Sequence, residues 1–550
     1  MNSKVDGPPG PSGAPPSVRY QQLLLDESGS GSGSGSEPEE DGAAPLWSGP
    51  RRRRRLPRAS PLRRVPARGR GDSLSRLLAA LVLLALALSL ALRQLRARGP
   101  PASGQRDGSG RPGRPGHQHR AGVYPRGAVI SPADTCSRVG RDLLVAGGNV
   151  VDAGIGTALC LGLVHPHVTG LGAAFWGLFH NGSSGLTVSL TPPPALSLAP
   201  GLGRPTALHA LHLLHRRLGH LPWARVLTGP VAMAQGGFSV DAVLAGALEQ
   251  FVASGRGEGL CPLLCHPDGT PLGPGSRMVN PQLGAVLQRA ARAPEEDDQF
   301  WDALLRPLAR DLPTLAGKSL FTTPPDALPS LQPALSLPLR QGSLFTTPEP
   351  VTGAPLLNML SRLGEAGPDA EPCPRVLEAA QFAYASAPSA APVGSFLAAM
   401  DSGGSVLLLS SSLNSSFGSG LLSPATGLVL SDFEGEAATH SWTCPVLLCC
   451  GPEEDVLGVV ATAGPAGSLA MAQTLLSHLL LQQPAQDAVA SPHLRLRLGS
   501  GGFPSNCTTG TPLSGDVDHP AGQALLLVTS RAEHVRTAAV PSHCCPSEGY

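Results

Sequence analysis

The sequence predicts an α/β protein in which sheets are covered by helices in layers. Three observations carry this. Asp134–Leu163 repeats apolar residues at helical spacing. Farther along, Ser405–Leu413, Gly427–Leu430 and Val456–Ala463 read as strands. The last of these gives way, through a small-residue turn, to a helical pattern at Ser468–Leu481.

Taken in order, Gly147-Gly148 breaks the first helical pattern in two. A second helical stretch, Pro205–Leu218, precedes HLPWARVL. Residues 319–348 hold the hexapeptide SLFTTP twice, beginning at Ser319 and Ser343. Two copies do not make a repeat array, and this Pro-rich stretch is expected to be irregular surface.

Composition narrows the function classes. The 550 residues carry a net charge of only +1, so no global field favours nucleic acid. Aromatic residues are 4% of the chain, which argues against a sugar- or base-stacking surface. Gly 67 and Pro 57 imply linkers, but no G-X-Y period supports a collagen reading. No metal site is expected, because the chain has no paired CxxC motif or polyhistidine tract.

The chain is asymmetric. Residues 1–76 read as a disordered cytosolic tail, with a Ser/Gly repeat, an acidic patch and the Arg-rich segment that starts at Arg51–Arg55. Residues 77–95 read as a signal-anchor transmembrane helix. Its apolar run, Leu77–Leu92, spans about 24 Å as a helix. Snorkelling Arg side chains make up much of the shortfall against a ~30 Å hydrocarbon core. Eleven Arg lie between 51 and 76 and three just after the run, which puts the N-terminus in the cytosol. The polybasic segment abuts the membrane and suits anionic lipid rather than nucleic acid. Residues 96–121 form a stem, and a folded ectodomain is expected from 122. All 11 cysteines lie on the outer side, where disulfides persist. So do sequons at Asn181, Asn414 and Asn506. The expectation is a single-pass type II membrane glycoprotein, with its ectodomain extracellular or luminal.

Generic catalytic patterns are absent: no GxSxG, Walker A or HExxH occurs. His165-Pro-His167 reads as a surface loop in preference to a metal pair. Cys261-Pro-Leu-Leu-Cys265 reads as a short disulfide loop in preference to a zinc site.

Longer motifs carry more. Gly127–Phe175 (GAVISPADTCSRVGRDLLVAGGNVVDAGIGTALCLGLVHPHVTGLGAAF), Leu218–Val240, Ser410–Asp432 and Ser547–Tyr550 resemble, in collinear order, segments of the gamma-glutamyltransferases, or glutathione hydrolases. The resemblance covers about residues 122–550. It implies an N-terminal-nucleophile hydrolase fold, an αββα sandwich, with 122–394 as a heavy-chain-like part and 395–550 as a light-chain-like part. It implies a zymogen that splits itself, and then hydrolysis or transfer of the gamma-glutamyl group of glutathione and related compounds. Water or an acceptor peptide takes the group, with no cofactor. Disulfides Cys136–Cys160 and Cys261–Cys265 are implied by the same match.

The implied site departs from the family pattern at several positions. The nucleophile position falls on Gly394, and Ser395, one residue on, is the candidate hydroxyl if the register slips. The alternative is that Ser395 is an ordinary loop hydroxyl. Ser412 would support the nucleophile. Asn414 and Glu436 would hold the glutamyl amino acid end, with Ser441 beside them. Asn414 also begins a sequon, and a glycan there competes with the pocket role. Leu190–Ala195 lacks the family's carboxylate-gripping Arg, and a nearby acidic position is Phe433. Gly464 offers one oxyanion amide, but the next residue, Pro465, has no N–H.

Overall fold

The computed structural model describes residues 122–550 except 195, 294–301, 312–327, 340–341, 350, 352, 365–373, 375–376, 379–380, 382–392, 434–444, 450–455, 462–464, 481–482, 491–493, 499–503, 510–524, 532 and 541–543. The tail, the proposed anchor and the stem therefore lie outside it. Among the described residues no helix is long and apolar enough to cross a membrane.

Two seven-stranded sheets organise the protein. Their strands are β1 (Gly122–Tyr124), β2 (Gly127–Ile130), β3 (Ala174–His180), β4 (Thr187–Thr191), β5 (Ser330–Pro333), β6 (Leu335–Leu339), β7 (Gly342–Thr346), β8 (Val393–Asp401), β9 (Val406–Asn414), β10 (Val446–Cys449), β11 (Val456–Ala461), β12 (Leu525–Arg531), β13 (His534–Val540) and β14 (Ser547–Gly549). The first sheet runs β1-β13-β12-β11-β10-β7-β6 and the second β14-β2-β8-β9-β3-β4-β5. Every pairing within them is antiparallel.

The side-chain period of two sorts each strand between two cores. Phe396, Ala398 and Met400 of β8 and Leu408 of β9 meet Leu447, Leu526 and Val528 between the sheets. Leu397 and Ala399 of β8, with Leu407 and Leu409 of β9, face α1 (Asp134–Val145) and α2 (Val150–Val164). The outer face of the first sheet packs Leu448, Val459 and Leu527 against helices at Ala354–Gly364 and Pro465–Leu480. The order of layers is helix, sheet, sheet, helix.

The two-helix reading of Asp134–Leu163 holds, with the break at Gly147, where φ is +91°. Asn149 caps α2, accepting from the N–H groups of Val151 and Asp152. Asp152 returns the bond to Asn149 N at 3.0 Å, closing a capping box. All 15 residues of α2 are buried, as a central helix requires. The other expected elements are found with small boundary shifts: Ala207–Leu218, Val406–Asn414, Leu428–Val429, Val456–Ala461 and Pro465–Leu480.

One expectation fails. The second SLFTTP copy is not irregular surface: Gly342–Thr346 is strand β7, paired on both sides. Its neighbour β6 tolerates Pro338 because it is the last strand of its sheet. The first copy lies outside the described residues.

Both expected disulfides are present. Cys136–Cys160 ties α1 to α2, and Cys261–Cys265 closes a short loop. A third bridge, Cys544–Cys545, joins sequence neighbours just before β14.

Candidate functional site

Of the candidate residues, Ser395, Ser412 and Asn414 lie where β8 begins and β9 ends. Gly394 pairs with Ser412 and Ser395 with Ser411. The ladder is irregular between Val393 and Gly394, where Val393 pairs with Asn414 and Leu413 is skipped. Ser412 Oγ donates to the Val393 carbonyl at 2.6 Å and accepts from the Asn414 N–H at 2.7 Å. Asn414 sits in the left-handed region, φ +77°, which Asn adopts more readily than most residues. Its Nδ2 reaches the Asp432 carbonyl at 3.4 Å. Ser415 donates to the Asp432 carboxylate through Oγ at 2.5 Å and through its N–H at 3.1 Å.

Ser395 is not on a loop but inside strand β8. Alternation puts it on the helix-covered face with Leu397 and Ala399, whereas Ser412 and Gly394 share the face between the sheets. The structure thus does not bring the Ser395 and Ser412 hydroxyls together. Ser395 is 3% exposed, and its Oγ has no hydrogen-bond partner. A buried hydroxyl left unpaired costs about 1–3 kcal/mol. Ser395→Ala is therefore expected to leave the uncleaved chain as stable as wild type or up to about 2 kcal/mol more stable. Urea unfolding checks this, and a loss of stability would show that the hydroxyl has a partner.

The face shared with Ser412 is apolar. Ala174 lies opposite Ser412 and Trp176 opposite Ser410. With Leu196, Val351 and Phe433 they form one buried cluster. Phe433, at a position where the resemblance implies an acid, is 0% exposed. Gly394 is crowded too: a Cβ there would come within 2.7 Å of the Ser411 carbonyl. A side chain at Gly394 would require the Ser411 backbone to move.

Sequence reasoning missed Arg204. It follows Gly203, whose own Cβ position abuts Ser431 and Phe433. Its N–H bonds the Leu196 carbonyl, its Nε is buried without a partner, and burial lowers its pKa. The only signal in the sequence is one Arg in the loop stretch GLGRPT. Asp432 was read only as the end of a motif.

His165 and His167 correct the surface-loop expectation, because both are buried. His165 Nε2 meets the Asp241 carboxylate at 2.6 Å. Burial works against the Asp241 charge, but the bond to His165 and the Leu244 N–H hold its pKa below the usual value. Burial, reinforced by the neighbouring His165, pushes His167 down to about 3. No cluster of three metal-ligating side chains occurs among the described residues. Asn181 lies at the exposed β3–β4 turn, where its Oδ1 accepts from Ser183 and Ser184. Asn506 lies on a short strand, Pro504–Thr509. Glu436, Ser441 and Gly464 lie outside the described residues.

Comparison with known proteins follows the same outline. A model of the Gamma-glutamyltranspeptidase family matches residues 136–192 and 197–392. The chain is 47% identical to human Glutathione hydrolase 6 over 537 residues, covering 97% of this chain and 99% of that one. The chain belongs to the gamma-glutamyltranspeptidase family. Within it, the mouse Glutathione hydrolase 6 is 49% identical over 480 residues, 86% of this chain and 88% of that one. Among solved structures, the cephalosporin acylase of Bacillus halodurans superposes with a TM-score of 0.60 at 16% identity, over 82% of this chain and 98% of that one. That likeness concerns the fold, and it agrees with the helix–sheet–sheet–helix order.

Proposed function

We propose that this gamma-glutamyltranspeptidase-family chain hydrolyses or transfers the gamma-glutamyl group of glutathione-type compounds, as a type II membrane glycoprotein with an outer or luminal ectodomain. The observation that carries this reading is the Ser412 hydroxyl, which donates to the carbonyl just before Gly394 at 2.6 Å. The names of the 47%-identical relatives, glutathione hydrolases, agree with it. The Arg bias and the one-sided sequons support the topology.

The chemistry needs a hydroxyl on the Ser412 face. The ladder is regular from Gly394 to Met400, so the one-residue irregularity that lies between Val393 and Gly394 has to move past Ser395 while Leu397–Met400 keep their register. Such a shift turns Ser395 toward Ser412. The Ser395 oxygen then attacks the Gly394 carbonyl carbon. The C–N bond breaks as the ester forms, which frees the Ser395 amine, and water then hydrolyses the ester, leaving a Gly394 carboxylate and freeing the Ser395 hydroxyl. In turnover that amine takes the hydroxyl proton as the oxygen attacks the gamma-glutamyl amide. The leaving amine departs protonated, and water or an acceptor peptide removes the acyl group. Asn414, Glu436 and Ser441 hold the amino acid end, and Arg204 is the cation proposed to meet a carboxylate. Gly464 supplies one oxyanion amide. The missing second donor lowers the rate by about 100- to 1000-fold.

A second reading is a catalytically silent family member that keeps the fold for binding or assembly. The apolar cluster around Phe433 favours it, because no charged amino acid end fits among those side chains as packed.

The test is a deglycosylated denaturing gel of the secreted ectodomain, paired with release of a gamma-glutamyl anilide. Two bands with Ser395 as a new N-terminus and slow release, both lost in Ser395→Ala, are expected. A single wild-type band without release overturns the Ser395 assignment and favours the silent reading.

A further inference from the structure

We propose that the Cys544–Cys545 bridge is a thiol–disulfide exchange site for small thiols of the glutathione and cysteine class. Three observations carry this, and none depends on gamma-glutamyl chemistry.

The first is its span. A bridge stabilises mainly by closing a loop in the unfolded chain, and more so for longer loops. Cys136–Cys160 spans 24 residues, whereas Cys544 and Cys545 are 1 apart. A bridge between neighbours constrains almost nothing beyond itself, so stapling the fold does not account for it.

The second is access. Cys136 and Cys160 are both 0% exposed, so their sulfurs are closed to a dissolved thiol. Cys544 is half-buried at the edge of the core between the sheets, while Cys545, 3% exposed, lies within that core with Ile130 and Phe396. Attack is directed to one sulfur.

The third is what surrounds the pair. Strand β14, which follows at once, is held without help from the bridge. The Pro546 carbonyl accepts from Ser137 Oγ at 2.8 Å, and Ser137 is tied to Ser131. The Tyr124 hydroxyl donates to the Ser547 carbonyl at 3.0 Å, and Arg141 pairs with Glu548 at 2.6 Å. Opening the bridge leaves the strand seated, so both oxidation states share one fold.

The exchange balances with two equivalents of thiol. The first, as thiolate, attacks Cys544 Sγ. The Cys544–Cys545 bond breaks, a mixed disulfide forms on Cys544, and the Cys545 sulfur leaves and is protonated. Cys545 then sits in the core as a small apolar side chain. The second thiol attacks the external sulfur of the mixed disulfide. It releases the small-molecule disulfide and leaves Cys544 as a thiol. The protein gains two hydrogens and two electrons, and the small thiols lose them.

The experiment titrates the folded ectodomain in graded glutathione buffers. Samples are quenched with an alkylating reagent and mapped as peptides without reduction. Cys544 and Cys545 are expected to be labelled together in buffers where Cys136–Cys160 remains bridged. Glutathione disulfide should restore the bridge. Cys545→Ser leaves the accessible sulfur and should take up one glutathionyl group from glutathione disulfide. Cys544→Ser leaves the shielded one and should do so at least about tenfold more slowly. Simultaneous opening of Cys544–Cys545 and Cys136–Cys160 would overturn the proposal. So would equal glutathionylation of the two single variants, or a map that joins Cys544 or Cys545 to another cysteine. Because the readout is cysteine mass and not turnover, a catalytically silent protein gives the same answer.

Discussion

Acidification is expected to weaken the ectodomain steadily as pH falls from 6.5 toward 3, with His167 as a principal cause. His167 stays neutral in the folded protein down to about pH 3, because burial excludes the charged ring and His165 adds repulsion. The unfolded chain binds the proton near the ordinary value of 6.5. Between these values the unfolded state carries more protons, so stability rises with pH and falls as pH drops. The slope approaches about 1.4 kcal/mol per pH unit, and the whole window is worth on the order of 5 kcal/mol. Carboxylates titrate over part of the same range, so the wild-type profile alone does not isolate the histidine. His167→Leu does: it removes the titrating ring and its unpaired Nδ1. Its stability relative to wild type should climb as pH falls from 7 to 4, measured by urea unfolding. Parallel profiles for the two proteins would show that His167 is protonated without penalty.

Removal of the Cys136–Cys160 bridge, as Cys136→Ala with Cys160→Ala, is expected to lower stability by about 3–4 kcal/mol. The sequence separation of 24 sets this scale through the freedom returned to the unfolded chain. The same treatment of Cys261–Cys265, separated by 4, should cost about 2 kcal/mol. Both cysteines of the longer bridge are buried in the core shared by α1 and α2, so lost packing adds to its figure. Urea midpoints of the two double variants give the order. A larger loss for the short loop would mean that its local geometry, not chain entropy, dominates.

The helices of this protein were easier to read than its strands, for reasons visible in particular residues. Asp134–Leu163 declares itself through apolar spacing and the Gly147-Gly148 break. The capping Asn149 stands directly after that break. Strands buried on both faces lose the alternation that identifies them, and Ala174–His180 is buried at all seven positions. Gly342–Thr346 was hidden by its Pro-rich surroundings, because what makes it a strand is a partner on each side, far away in sequence. The site divides in the same way. Ser412 and Asn414 were legible through the family resemblance, and the structure joins them by a hydrogen bond from the Asn414 N–H to the Ser412 hydroxyl. The orientation of Ser395 was not, because one residue of register decides the face and motif matching alone did not determine that register. Arg204 and the Phe433 cluster depend on contacts between distant segments that no local pattern announces.

The order of strands has a consequence for any cut between Gly394 and Ser395. In one sheet, β2 lies between β14 and β8, so a strand from before the cut is clasped on both edges by strands from after it. In the other, β1 and β7 flank the run β13-β12-β11-β10 from opposite ends. The two fragments would be woven through each other like interlaced fingers. Severing the backbone would create two new chain ends and detach nothing. A nicked molecule would keep its native hydrodynamic size, and neither fragment could be drawn out without dismantling both sheets.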